Sequence, residues 1–233
     1  GIVHRFWSFV NSKAYHPGLM GRPLVYYASF DRQQQANAAV LLASYMMIEH
    51  KLSAAGAVQA FSDIPTFPFA PFRDATFAPA DFELWLQDVC QGLERAMSVG
   101  WFDALTFDVG HYEDLEDPNN GDISEIGDKF VAFRGPKKEN PEQAQWAHAP
   151  KFYVERLKRL GVQAVIRLNE QSSYDASDFA AHGLPVHELE FENCATPSPA
   201  LVERFLRICE TTAGRVAVHC KAGLGRTGTL IGV

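Results

Sequence analysis

One stretch, His219-Cys220-Lys221-Ala222-Gly223-Leu224-Gly225-Arg226-Thr227-Gly228, limits the fold of this chain more than any other feature. The apolar run Val216-Ala217-Val218 before it predicts a buried strand, and Thr229-Leu230-Ile231 after it predicts a helix. A strand turning into a helix through such a loop leaves the N–H groups of residues 221 to 226 free to curl around one tetrahedral anion. Arg226 adds a planar fork for two phosphate oxygens. Cys220 at the bottom of this cradle shares its positive field, so its pKa is expected below the ordinary thiol value of ~8.5. A thiolate under a bound phosphate is a nucleophile aimed at phosphorus.

The spacing Gly223-x-Gly225-x-x-Gly228 also fits the dinucleotide fingerprint. Both loops hold phosphate on helix N–H groups, but the fingerprint requires neither His219-Cys220 nor Arg226 and normally opens a domain. The anion cradle is therefore the better reading.

With 47% hydrophobic and 21% charged residues, the chain has the composition of a globular protein able to bury a core. Its net charge of −7 and lack of a basic block argue against nucleic acid and anionic membranes and favour basic protein segments as partners. The longest apolar stretch, Ala38 to Ile48, is too short to span a bilayer. Cys90, Cys194, Cys209 and Cys220 lack metal-type spacing, and a working Cys220 needs a reducing compartment, which points to the nucleus and cytoplasm. Gly1 opens inside a predicted helix without a cap, and Val233 stops shortly after the anion loop. The chain is expected to be a fragment.

The C-terminal half alternates helix and strand. Helices are predicted from Pro150 to Leu160, Asp175 to Ala181 and Pro199 to Thr211, and strands at Val162–Leu168, Val186–Phe191 and Arg215–His219. That order predicts a parallel sheet covered on both faces, with ligands beyond the strands' carboxyl ends. The N-terminal half carries an echo: a strand at Val25-Tyr26-Tyr27-Ala28, then Ser29 at the place of Cys220 and Gln35 at the place of Arg226. Nucleophile and fork are both replaced, as in a degenerate copy. Gly110 to Pro141, broken by a strand at Lys129–Phe133, reads as an interdomain connection. The helix predicted from Ala80 to Gly100 carries Phe82, Leu84, Trp85, Leu86, Val89 and Leu93 as a core stripe.

With these motifs the chain resembles the cell-division-cycle-fourteen phosphatases, dual-specificity enzymes of mitotic exit and cytokinesis. His219 to Gly228 matches the family's signature loop throughout, and Thr196-Pro197-Ser198, Ala132-Phe133-x-Gly135-Pro136 and His148-Ala149-Pro150 fit its pattern. Phe30-Asp31, Ala36-Asn37-Ala38-Ala39, Pro71-Phe72-Arg73-Asp74-Ala75 and Thr106-Phe107-Asp108-Val109 resemble its inactive N-terminal domain. The resemblance implies an α/β chain of two tandem cysteine-phosphatase-like domains. Residues 1–110 would be the degenerate one, 111–141 the connection, and 142–233 the catalytic one, with a mostly parallel sheet and a C-terminal end soon after the phosphate loop. It implies phosphoprotein substrates, above all phosphoserine followed by proline with a basic residue further on. An acidic groove between the domains would recognise that residue, with Asp74, Glu113 and Glu116 at groove positions.

The family's general acid is an Asp three residues before the Thr-Pro-Ser, and Asn193 stands there. Asn cannot protonate a leaving serine oxygen, a loss of roughly 10²–10⁴ in the first step. Glu192 and Glu190 are nearby substitutes, but strand alternation would turn both away from residue 193. The leading reading is a cysteine-dependent phosphatase. Cys220 attacks; Lys221, Ala222, Gly223, Leu224, Gly225 and Arg226 hold the phosphoryl group; Thr227 supports the thiolate; His219 orders the loop. No metal or cofactor is required, because the cradle supplies the positive field. The alternatives are a phosphoserine-binding pseudophosphatase, suggested by Asn193, and a phosphoinositide phosphatase, which the apolar Leu224 and the acidic chain disfavour.

Overall fold

The computed structural model describes residues 1–73, 79–80, 82–138 and 148–233. They form two compact units, Gly1–Val109 and Gly110–Val233.

The first unit is mainly helical. Helix α1 (Ile2–Ala14) precedes α2 (Arg32–His50), which Asp31 caps by accepting the Gln34 N–H at 2.8 Å. The small residues Ala36, Ala39 and Ala43, three to four apart, face the core and let other helices approach α2 closely. Against them pack Ala54 and Ala57 of α3 (Ala54–Gln59) and Leu86 and Cys90 of α4 (Leu86–Ser98), with Phe61 and Phe69. Between α3 and α4, β1 (Phe72–Arg73) and β2 (Glu83–Leu84) make a two-residue antiparallel ladder.

Three expectations fail in this unit. Val25–Ala28 is not a strand: no described strand pairs with it, and Val25 and Tyr27 are 80% and 87% exposed. The echo of the anion loop also breaks. Cys220 stands five residues before its helix begins at Gly225, whereas Ser29 stands only three before α2 begins at Arg32. Of the residues matched to the cradle, Arg32 to Gln35 are already helical, and Asp31 takes the Gln34 and Gln35 N–H groups through its side chain and carbonyl. Finally, the helix expected from Ala80 starts at Leu86, where Asp88 accepts the Trp85 N–H. Phe82, Leu84 and Trp85 therefore lie outside the core stripe and are exposed.

The second unit opens with α5 (Val109–Glu116), then β3 (Ile123–Ile126) and β4 (Phe130–Phe133). Residues expected to be a connection thus build part of this unit's sheet. After the undescribed 139–147 come α6 (Pro150–Arg159), β5 (Val162–Arg167), α7 (Ser177–Ala180), β6 (Val186–Glu188), α8 (Pro199–Thr211), β7 (Arg215–His219) and α9 (Gly225–Ile231). Gly161, at φ +78°, ends α6 in the left-handed conformation that favours glycine. Ser198 caps α8 through the Leu201 N–H, with Pro199 at the first helical position.

The sheet order is β3-β4-β7-β5-β6, antiparallel at β3–β4 and parallel elsewhere. Alternate residues feed two cores. Val131, Phe133, Val165 and Ala217 pack with Tyr153, Leu157 and Phe179 on one face. Ile166, Val216 and Val218 pack with Phe205, Cys209 and Leu230 on the other. Burial on both faces explains the near-continuous apolar runs of β5 and β7. β7 lies between β4 and β5, with Phe133, His219 and Arg167 in register. Their following loops therefore emerge side by side at the carboxyl edge.

Candidate active site

That register assembles a cavity of about 570 Å³ from three loops and the turn after β6. Cys220, Lys221, Ala222, Gly225 and Arg226 line it from the loop after β7. Arg134, Gly135 and Lys137 line it from the exit of β4, Glu170 from the exit of β5, and Asn193 from the turn before α8.

Cys220 is 4% exposed at the cavity floor. Burial alone raises a thiol pKa, as it does at Cys90 and Cys209, both pushed up to about 11. Burial is also the largest influence on Cys220, but there it is outweighed. The Thr227 hydroxyl and the N–H groups of Thr227, Gly223 and Leu224 stabilise the thiolate, and the net shift is downward. The Thr227 hydroxyl is fully buried and makes no hydrogen bond of ordinary geometry elsewhere, which leaves it to the sulfur.

Arg226 is held from behind. Its Nη1 donates to the carbonyls of Leu168 (3.2 Å) and Phe191 (3.0 Å), while the buried Nε has no partner. A buried guanidinium N–H left unsatisfied in a cavity wall is a site waiting for an anion. The sequence placed this residue in the cradle; the carbonyls that aim it come from the residue just after β5 and the segment after β6.

His219 is completely buried and lies against Tyr174. Its Nδ1 faces the Cys220 carbonyl at 3.1 Å and its Nε2 the Tyr174 hydroxyl at 2.8 Å. A carbonyl only accepts, so Nδ1 carries the proton and Nε2 accepts from Tyr174. Burial lowers its pKa to about 3, so the ring is neutral. Tyr174 is fixed in turn by Arg167, which donates to its carbonyl at 2.7 Å and pairs with Glu188.

Two glycines shape the cradle. Gly223 has φ +76°, and a Cβ there would meet the Phe133 carbonyl oxygen at 2.4 Å. At Gly135 a Cβ would meet the Cys220 carbonyl oxygen at 2.0 Å. Arg134, Lys137 and Glu170 were not among the residues singled out from the sequence, and Gly135 entered only as part of a family pattern with no site role. The signal available was their position just past the carboxyl ends of two predicted strands.

Asn193 lines the cavity, and its amide donates weakly to Cys194 Sγ at 3.4 Å. Glu190 and Glu192 are exposed and absent from the lining. Strand alternation does not govern them, because β6 ends at Glu188 and residues 193–195 form a turn with Cys194 at φ +62°. Glu113 and Glu116 lie on α5, and Glu116 accepts the Tyr112 hydroxyl at 2.8 Å. Asp74 lies outside the described residues.

Two family models match the chain: the N-terminal half of dual specificity protein phosphatases over residues 1–96, and a polymorphic toxin system DSP-PTPase phosphatase over 141–233. Human dual specificity protein phosphatase CDC14A is 41% identical over 232 residues, covering 99% of this chain and 39% of that protein. Human CDC14C is 38% identical, covering 99% of this chain and 52% of its own. This chain belongs to the CDC14 family. The tyrosine-protein phosphatase cdc-14 of Caenorhabditis elegans is 39% identical over 84% of the chain and 28% of that relative. The chain thus spans about two fifths of human CDC14A and about half of CDC14C. Among solved structures, the active form of Tk-PTP matches 46% of this chain and 67% of its own at 22% identity, with a TM-score of 0.38. No helix among the described residues is long and apolar enough to cross a membrane.

Proposed function

We propose that this CDC14-family chain carries a cysteine-dependent protein phosphatase site. The observation that supports it most is the pairing of a lowered Cys220 pKa with the unpartnered Arg226 Nε at one cavity. A phosphoryl group enters with its oxygens on the loop N–H groups and Arg226, which preorganise charge where the transition state needs it. The Cys220 thiolate attacks phosphorus, the ester oxygen leaves, and water then cleaves the phosphocysteine. Thr227 stabilises the thiolate as it forms again, and neutral His219 fixes the loop without acting as a base.

The substrates are phosphoproteins: phosphoserine and phosphothreonine, preferably before proline and with a basic residue downstream, and phosphotyrosine. Asp74, Glu113 and Glu116 supply acidic groove positions for the basic residue. The setting is the cell cycle, in the nucleus and cytoplasm. Single-turnover hydrolysis of a phosphoserine-proline peptide and of a phosphotyrosine peptide tests this reading. A second reading, phosphoserine binding without turnover, rests on the neutral amide of Asn193 in the cavity wall. In that case the peptide is retained and not hydrolysed.

A further inference from the structure

Among the described residues lining the cavity, Glu170 is the one carboxylate. It follows β5 by three residues, at the edge where the loops after β4 and β7 also emerge. Its own backbone N–H lowers its pKa most; burial, next in size, opposes this, and the Arg226 charge, the Asn169 amide and the Lys221 charge bring the net shift downward. Glu170 is therefore ionised at neutral pH. An ionised carboxylate has no proton for a leaving group but can take one from water. Asn193, in the same cavity, can do neither.

We propose that Glu170 accepts the proton from the water that hydrolyses the phosphocysteine, and that the site, with no proton donor among the described residues of its wall, prefers aryl phosphates, phosphotyrosine included, to phosphoserine. This rests on the phosphatase reading above. In the first step an S–P bond forms as the P–O bond to the leaving group breaks. A phenolate departs with the electron pair and collects a proton from solvent. In the second step the water oxygen bonds to phosphorus, its proton passes to Glu170, and the S–P pair returns to Cys220. Glu170 then releases the proton to solvent. A phenolate leaves without help and a serine alkoxide does not, so the missing donor slows only alkyl substrates severely.

The test is rapid mixing of the 233-residue chain and its Glu170→Gln and Glu170→Asp variants with p-nitrophenyl phosphate. For Glu170→Gln the burst of nitrophenol should stay within ~2-fold of wild type while steady turnover falls ~10²-fold and phosphocysteine accumulates. Glu170→Asp should restore part of the turnover. Equal losses in burst and turnover would make Glu170 a support for Arg226 and overturn the inference, as would no change in either. Wild-type turnover of a phosphoserine peptide as fast as the aryl ester would overturn the substrate preference. Absence of any nitrophenol release by the folded chain, judged by circular dichroism, would remove the phosphatase reading and this inference with it, whereas release with no burst in the wild-type chain would overturn the inference alone.

Discussion

Gly135 and Cys220, on neighbouring strand exits, touch so closely that a Cβ on the glycine would stand 2.0 Å from the cysteine's carbonyl oxygen. Both contacting groups are backbone, so neither can move aside as a flexible side chain would. Gly135→Ala must push the loop after β7 away from β4 by an ångström or more. Misplacement on that scale costs ~10²-fold in rate. Phosphatase assays paired with iodoacetate alkylation of Cys220 check this; unchanged kcat and alkylation rate would show that the cradle tolerates the shift.

His219 makes folding stability depend on pH in a defined direction. The folded chain holds it neutral with a pKa of about 3, whereas the unfolded chain protonates it near 6.5. Its folded pKa is depressed, so the unfolded state binds the extra proton. Stability is full above pH 6.5 and falls as pH drops from there toward 3. The slope from this one group approaches about 1.4 kcal/mol per pH unit. Urea denaturation between pH 4 and 7 measures it. His219→Asn should flatten the acid-side slope whatever its effect at pH 7; an unchanged slope would mean another group sets it.

The position of Asn193 in the cavity wall makes a reversal testable. Asn193→Asp should raise kcat on phosphoserine peptides by ~10²-fold or more, with a far smaller gain on aryl phosphates. An equal rise on both substrates would indicate loop positioning instead of proton donation.

Glu113→Lys with Glu116→Lys should weaken peptides carrying a downstream lysine far more than neutral ones. Competitive binding of the two peptides, repeated at high salt, measures the difference. Equal weakening would reduce both residues to surface charge.

Where one local signal governed an element, the sequence was a sound guide. α8 runs from Pro199 to Thr211 as expected because Ser198 and Pro199 mark its start, and β7 matches Arg215–His219 because its apolar run is short and bounded. Cys220 and Arg226 were legible for a related reason: nucleophile and fork lie within one loop. The place of Gly135 and Glu170 beside Cys220 was not, since only the alignment of β4 and β5 with β7 brings them there. Val25–Ala28 has the β-branched and aromatic character of a strand, but a strand needs a neighbour, and no described strand provides one. Glu190 and Glu192 stay out of the cavity that Asn193 lines, but strand alternation is not the reason, because a period-two argument holds only inside a strand and β6 ends at Glu188.

The central claim is that Cys220 becomes covalently phosphorylated. Acid quenching of the chain after milliseconds with a phosphotyrosine peptide, followed by peptide mapping, reads this directly. The account predicts phosphate on the peptide containing Cys220 in the wild-type chain, and neither phosphate nor turnover in Cys220→Ser, which should still bind substrate because serine fits the cradle without ionising. Turnover retained by Cys220→Ser, or phosphate carried on another residue, would contradict it.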